Sequence, residues 1–315
     1  MVNNKNLIVL TGFSCNNNCI ICSVKDKMVN YPDRSFEDLC NELKKGIKNG
    51  FNWVEFTGGE PTIRSDIIKL VETAKELGYQ KIAFSTNGRL FSYNEFCQKI
   101  IQAGLNKITF SLLGPDKKIH DSISRTPGSF TEIIKGIKNV QQFSDIHINI
   151  STVISKLNYK SIKSFGRFII SLGVKNWYLL DLIPDGNAKK FYPDLVVRLN
   201  NLSKELNGLV EISDNFNEFG FFDFPLCIFS PELRSKTNAC FVNAKMRLET
   251  SQQVGYNPKR IELDSEGIYR DVYRENTGIC RKCKYYKNCG GIWNNYLNLF
   301  GVKEVVKLAK KNNCL

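Results

Sequence analysis

Histidine is nearly absent from this chain: among 315 residues there are two, His120 and His147. Neither lies near a cysteine cluster, so a metal site of mixed Cys and His ligands at short spacing has little to draw on. Long apolar runs are missing as well. None approaches the roughly 18–20 residues of a membrane span. The N-terminus also lacks the basic region, apolar stretch and small-residue cleavage site of a secretory signal. These absences predict a cytoplasmic protein with no membrane partner. In that reducing compartment the eleven cysteines point to metal ligation rather than disulfides. Acidic residues are scarce too, with 31 Asp and Glu against 44 Lys and Arg, a net charge of +13. Such an excess attracts RNA, acidic peptides or phosphorylated metabolites. The cations are spread along the chain, mostly as Lys on predicted helix faces, which favours a solvated basic surface; charge alone does not decide against nucleic acid.

What is present is enough for a sizeable core: 42% of the residues are hydrophobic, which excludes general disorder. The length suits an α/β barrel with an appendage. Strand-like runs fall at Leu7–Leu10, Trp53–Thr57, Lys81–Thr86, Lys107–Leu112, Ile146–Ile154 and Asn176–Leu182. Helical spacing separates them. Ser35 caps a helix with Phe36, Leu39, Leu43 and Ile47 on one face. Ser65 caps the next, with Ile67, Ile68, Val71, Ala74 and Leu77 before Gly78. Others cover Asn94–Ala103, Phe130–Val140 and Ser161–Leu172. Six βα units predict a parallel sheet with right-handed crossovers. Periodicity does not choose between an open doubly wound sheet and a partial barrel.

The first strand runs into Cys15-Asn16-Asn17-Asn18-Cys19-Ile20-Ile21-Cys22, three thiols spaced C-x3-C-x2-C. Soft thiolates gathered on one short loop suit an iron–sulfur cluster. Three ligands on a cubane leave one iron open to a small molecule. The spacing, its position and the motifs downstream resemble the radical S-adenosylmethionine (SAM) family. That resemblance implies that the open iron of a 4Fe–4S cluster chelates SAM. An electron then cleaves SAM to methionine and a 5′-deoxyadenosyl radical, which abstracts a substrate hydrogen. It implies a partial (β/α)6 TIM-like barrel with Cys15, Cys19 and Cys22 as catalytic ligands. Family members usually carry an aromatic residue just before the third cysteine; here it is Ile21.

Barrel chemistry gathers at the C-terminal ends of strands, and further motifs fall there. Gly58-Gly59-Glu60-Pro61 follows the second strand; two glycines allow close backbone approach. It resembles the family motif that meets the SAM amino group. By the same resemblance Ser85 and Asn87 face SAM, and Ser111 and Arg125 help to hold it. Many relatives have an Asp two residues after that Ser, where this chain has Leu113. The fifth strand exposes either Asn149, Ser151 and Val153 or Ile148, Ile150 and Thr152 to the site. Pro184-Asp185-Gly186-Asn187-Ala188 matches a family loop expected at the barrel mouth.

A second cysteine group follows. Residues Leu195–Phe224 read as a helix and a connector, then come Cys227 and Cys240. A β-hairpin is predicted from Arg260–Leu263 and Ile268–Tyr273, followed by Cys280, Cys283 and Cys289 and a basic amphipathic helix over Val302–Lys311. C-x2-C plus a third Cys is a metal spacing, for a zinc knuckle or an iron–sulfur cluster. The order resembles the SPASM and Twitch extensions of radical SAM enzymes, and implies one auxiliary 4Fe–4S cluster on Cys280, Cys283, Cys289 and Cys227, with Cys240 in reserve. A full SPASM domain has a further Cys four residues after the third, where Trp293 stands here. Cys40 and Cys97 read as core residues, and Cys314 as free.

The expectation is therefore a radical SAM barrel over residues 1–215 and a small cysteine-rich domain over 216–315. The substrate class expected first is a peptide, as in post-translational maturation. RNA or a cofactor precursor is the alternative, and a non-catalytic zinc-binding regulator is a third reading. A flavodoxin or ferredoxin is expected as electron donor. Only 14 residues precede Cys15, too few for an N-terminal leader-binding domain, so a peptide maturase would call on a separate peptide-binding partner or bind the peptide at its basic barrel mouth.

Overall fold

The computed structural model describes residues 6–242, 251–254 and 274–315. Its centre is one curled, all-parallel sheet. In chain order the strands are β1 (Asn6–Leu10), β2 (Trp53–Thr57), β3 (Lys81–Thr86), β4 (Lys107–Ser111), β5 (His147–Val153), β6 (Asn176–Leu180), β7 (Glu218–Phe222), β8 (Ala239–Val242) and β9 (Ser251–Val254). They lie in the order β8-β7-β6-β5-β4-β3-β2-β1-β9, a half-barrel in which β1 to β8 run in sequence and β9 adds beside β1.

Each strand alternates because its two faces meet different surroundings. Val54, Phe56, Phe84, Ile108, Phe110, Ile150, Trp177 and Leu179 are fully buried on the face that packs against the helices. The opposite face is polar and looks into the barrel: Glu55, Thr57, Ser85, Thr109, Ser111, Asn149 and Ser151. Several of these groups bond to neighbours on the same face, since a buried polar group without a partner is costly. Ser85 Oγ donates to Glu55 Oε1 (2.5 Å), Asn149 Nδ2 to Thr109 Oγ1 (3.3 Å) and Asn176 Nδ2 to Asn149 Oδ1 (3.0 Å).

The helices stand where the apolar period places them. Ser35 caps Phe36–Lys48 by accepting from Asp38 N–H, and Leu39 and Leu43 point into the core. The next helix, Ile67–Glu76, differs at its start: its N-cap is Asp66, without a side-chain cap bond, rather than Ser65. A helix at Lys117–Ser124, absent from the sequence reading, precedes Ser129–Val140.

The clearest departure is β7, which lies where a connector is predicted. Phe219 and Phe221 are buried on its outer face, and β7 pairs with β6 from Asn176↔Glu218 to Leu180↔Phe222. They join Trp177, Phe216, Phe224, Phe229 and Phe241 in an aromatic cluster with centroids such as 4.8 Å for Phe219–Phe221. Offset and edge-on rings of this kind add to burial. The expected hairpin over Arg260–Leu263 and Ile268–Tyr273 lies outside the described residues.

The C-terminal segment docks onto the barrel. A two-stranded antiparallel pair joins β10 (Arg274–Glu275) and β11 (Ile292–Trp293). Trp293 Nε1–H donates to Asp181 at the end of β6 (2.8 Å), and Arg274 Nη2–H donates to Asp223 O after β7 (2.7 Å). The helix Lys303–Lys311 lays Val305, Leu308 and Ala309 inward. No described helix is long and apolar enough to cross a membrane.

Candidate active site

The cysteine loop is held from several sides, by backbone groups and by side chains. The carboxylate of Asp33 accepts from Phe13 N–H (2.8 Å) and Ser14 N–H (3.1 Å). Burial pushes that carboxyl up, but the bonds from Ser14 and Phe13 outweigh it and leave it below the usual range. Across the loop, Gly59 N–H donates to Gly12 O and Glu60 N–H to Ser14 O, both at 2.8 Å. The two glycines are needed here. A Cβ on Gly58 (φ +126°) would lie 2.3 Å from Gly12 O, and one on Gly59 2.1 Å from Ser14 O. The close approach they permit is between the two loops themselves.

Two further clamps went unread in the sequence. Arg89 Nη1–H donates to Asn16 O (2.6 Å), while its Nε pairs with Glu132. Asn187 Nδ2 donates to Cys19 O (3.0 Å), and Ala188 N–H to Cys22 O (3.3 Å). The loop expected at the barrel mouth thus grips the cysteine loop. The only signal for Arg89 was its place two residues after Asn87.

Together these elements enclose a cavity of about 350 Å³. Cys15, Cys19 and Cys22 line it, with Gly58, Gly59, Glu60, Ser85, Asn87 and Ser111. Ser151 and Val153 are also there, so the Asn149–Ser151–Val153 face of β5 is the inner one. Ile21 contributes its side chain. Arg125 is not among the lining residues. It ends Lys117–Ser124 in a left-handed conformation, with its guanidinium 5.9 Å from the centre of the Phe191 ring.

Glu60 is 2% exposed and fully bonded. Oε1 accepts from Thr62 N–H (3.1 Å), Thr62 Oγ1 (2.6 Å) and Thr86 Oγ1 (2.7 Å), and Oε2 from Asn87 N–H (2.6 Å). Burial raises its pKa against these bonds. Burial likewise pushes the Cys15 thiol up to about 11, and raises Cys19 and Cys22. Cys22 and Cys15 add to the rise at Cys19, so ionising one thiol hinders the next. Such a set suits a polycationic cluster, which deprotonates the thiols it binds. Among the described residues no three His, Cys, Asp or Glu side chains close on one ion-sized point. The fit therefore rests on the donor set: three thiols on one wall of a cavity with room and polar groups for a second ligand.

The second thiol group sits elsewhere. Cys227, Cys280, Cys283 and Cys289 line one small cavity of about 20 Å³ with Ile279, Ile292, Val305 and Ala309. Cys240 is exposed on β8 and does not line it. Burial raises Cys227 well above its ordinary value, with Cys289, Cys314, Cys280 and Cys283 adding to the rise. Cys314 is thus a fifth thiol of this group. It is 0% exposed, and Arg234 Nη1–H donates to its Sγ at 3.5 Å.

A parallel half-barrel whose first strand delivers three thiols into a polar cavity is the architecture of SAM-cleaving iron–sulfur enzymes. The radical SAM superfamily profile matches residues 9–169, about half of the chain, and the chain belongs to that family. The cofactors of that family are SAM and the 4Fe–4S cluster that meets it. A probable GTP 3′,8-cyclase of Saccharolobus solfataricus is 29% identical over 185 residues, 59% of each protein. The chain thus spans less than two thirds of the length of the cyclases that it matches. An AdoMet-dependent heme synthase of Nitratidesulfovibrio vulgaris is 24% identical over 91% of this chain and 87% of its own. Among solved structures, Streptococcus suis SuiB bound to SAM has a TM-score of 0.62 at 17% identity, covering 96% of this chain and 75% of SuiB. The structure of anSMEcpe with bound AdoMet has a TM-score of 0.61 at 15% identity, covering 97% of each chain.

Proposed function

We propose that this protein is a cytoplasmic peptide-modifying radical SAM enzyme with one auxiliary cluster on Cys227, Cys280, Cys283 and Cys289. The observation that carries the reading is the wall of three thiols, Cys15, Cys19 and Cys22, facing Gly58–Glu60, Ser85, Asn87 and Ser111 across one cavity. A cubane on those thiols would supply an open iron and the electron that cleaves SAM to methionine and a 5′-deoxyadenosyl radical. The chain's part is positional. The Glu60 carboxylate is fixed by its bonds to Thr62, Thr86 and Asn87, ready for the SAM amino group. Ser85, Asn87 and Ser111 offer short polar side chains to its ribose and carboxylate. A SAM-side role for Arg125 is implied by the resemblance alone, since it does not line the cavity.

Peptide as substrate is supported by the likeness to SuiB, also solved with precursor peptide SuiA, and to anSMEcpe, also solved with a Kp18Cys peptide. The fold is what these share with the chain. A second reading, a cofactor precursor as substrate, is favoured by the heme synthase match along nearly the whole chain. A zinc-binding regulator is set aside by membership of an enzyme family. Deuterium transferred into 5′-deoxyadenosine from labelled peptides, but not from labelled tetrapyrroles or nucleotides, would choose the first.

The test of the core reading is iron, sulfide and zinc content after anaerobic purification, with electron paramagnetic resonance with and without SAM. About eight irons and a spectrum that changes on adding SAM are expected for two cubanes. About four irons and one zinc would retain the radical chemistry and make the C-terminal site structural. Zinc alone, with no response to SAM, would overturn the reading.

A further inference from the structure

We infer that the cations around the second thiol cavity form the docking surface for an acidic one-electron carrier protein. This rests on the proposal that Cys227, Cys280, Cys283 and Cys289 hold a redox centre. Residues 276–315 contain eight Lys and Arg and a single acid, Glu304, and so carry seven of the thirteen net positive charges. The other 275 residues hold thirty-six cations against thirty acids. All eight cations are exposed: Arg281, Lys282, Lys284, Lys287, Lys303, Lys307, Lys310 and Lys311. Glu304 does not offset them, because it is buried, accepts from Asn200 N–H (2.8 Å) and pairs with Arg198 (3.2 Å).

The two segments that carry the cations lie side by side. Lys284 N–H donates to Cys314 O (2.9 Å), and Arg234 Nη2–H to Asn312 O (2.5 Å). These bonds lay the end of Lys303–Lys311 beside the turns at 280–288. That surface is one side chain away from the thiols. Val305 and Ala309, on the inner face of the helix that carries Lys303, Lys307, Lys310 and Lys311, line the thiol cavity. Tyr286 (42% exposed) and Leu315 (45% exposed) line it and reach the outside. A basic collar over a thin wall steers an acidic partner to the place where electron transfer is shortest. The reduced carrier loses one electron and the centre beneath gains it; no atom or proton changes place. RNA fits less well. The SAM-side cavity has one cation in its lining, Lys27, which is paired with Asp185 (3.0 Å), so RNA held by the collar would lie over the wrong cavity.

The test is binding of flavodoxin, an acidic flavin carrier, to the iron-loaded chain, measured by interferometry across a salt series. One triple variant is Lys287→Glu/Lys310→Glu/Lys311→Glu. Its control, Lys44→Glu/Lys45→Glu/Lys48→Glu, reverses three exposed lysines of the helix Phe36–Lys48. Iron content and thermal melting check that both fold. The collar variant should bind at least about tenfold more weakly and lose most of its salt dependence, the control less than about twofold. Equal weakening of both variants, or of neither, overturns the inference. So does transfer RNA binding the collar while flavodoxin is indifferent to it. If iron and the SAM response are intact in either case, the docking surface fails and the enzyme reading stands. A chain that loads zinc and no iron brings down both.

Discussion

The two thiol groups of this protein differ in almost every physical respect. The first draws three cysteines from one eight-residue loop, opens into a cavity of about 350 Å³ and is ringed by hydroxyls, amides and a buried carboxylate. The second draws its cysteines from stretches more than fifty residues apart and wraps them in isoleucine, valine and alanine around about 20 Å³. An open site needs space and polar partners for the ligand that completes it. A site whose four positions are all filled by thiols needs neither, and its small cavity is walled mostly by apolar side chains. The contrast fits the proposed roles, SAM binding at the first group and a redox centre at the second.

The largest effect expected from breaking this contrast is at the first group. Cys19→Ala should abolish SAM cleavage, a loss of about 100-fold or more in 5′-deoxyadenosine formed, because a cubane loses one of its ligands. Retained formation in that variant would sink the assignment. At the second group, Cys283→Ala should remove about four irons while the SAM-dependent spectral change survives. Cys227→Ala should do the same, and Cys314→Ser should leave the iron content unchanged. Iron lost from Cys314→Ser and kept in Cys227→Ala would exchange their roles.

A smaller effect is expected from Glu60→Gln, which sets an amide N–H against donors that now meet a carboxylate oxygen. A penalty of about 1–3 kcal/mol for an unsatisfied buried group should appear as weaker SAM binding by isothermal titration with iron retained. Iron lost with SAM affinity intact would count against Glu60 as a SAM ligand.

The smallest effect concerns pH. His120 is buried, its Nδ1 accepts from Leu113 N–H (3.1 Å), and burial lowers its pKa from 6.5 to about 4, with Asp121 opposing. Between those values the unfolded chain takes up a proton that the folded chain refuses. Its contribution to stability is therefore present above pH 6.5 and declines as pH falls toward 4, by at most about 3 kcal/mol. His120→Gln keeps an acceptor and should flatten melting temperature against pH across that window. An unchanged slope would contradict this account.

Much of the barrel was legible in the sequence because local pattern and tertiary role agree there. β2 and β3 begin and end at the expected residues, and the helix Asn94–Ala103 does too. The cysteine loop, Gly58–Glu60, Ser85, Asn87 and Ser111 were recognisable by the family resemblance of motifs at strand ends, which meet at one rim in a parallel sheet, and the structure puts them around one cavity. β7 was not legible. Glu218-Phe219-Gly220-Phe221-Phe222 does alternate, but Gly220 weakens the strand signal, and no helix of the usual kind separates it from β8. Arg89 was missed, and the hold of Asn187 on the cysteine loop was not foreseen, because both bind backbone carbonyls of that loop, and such contacts leave no spacing rule in the chain.

By itself the sequence determined the ligand set on offer: three thiols at C-x3-C-x2-C on a loop leaving a strand can be read before folding, because their spacing lies within eight residues. Only the tertiary structure decided which distant groups act together. It brought Cys227, and not Cys240, to Cys280, Cys283 and Cys289, and carried Cys314 and a layer of lysines to the same place. It also turned the Ser151 face of β5 inward. Those outcomes depend on how strands pair and how the C-terminal segment docks through Trp293 and Arg274, contacts between residues as far apart as 112 positions. Long-range packing of that kind is settled by the shape of the whole core and is written in no short stretch of the chain.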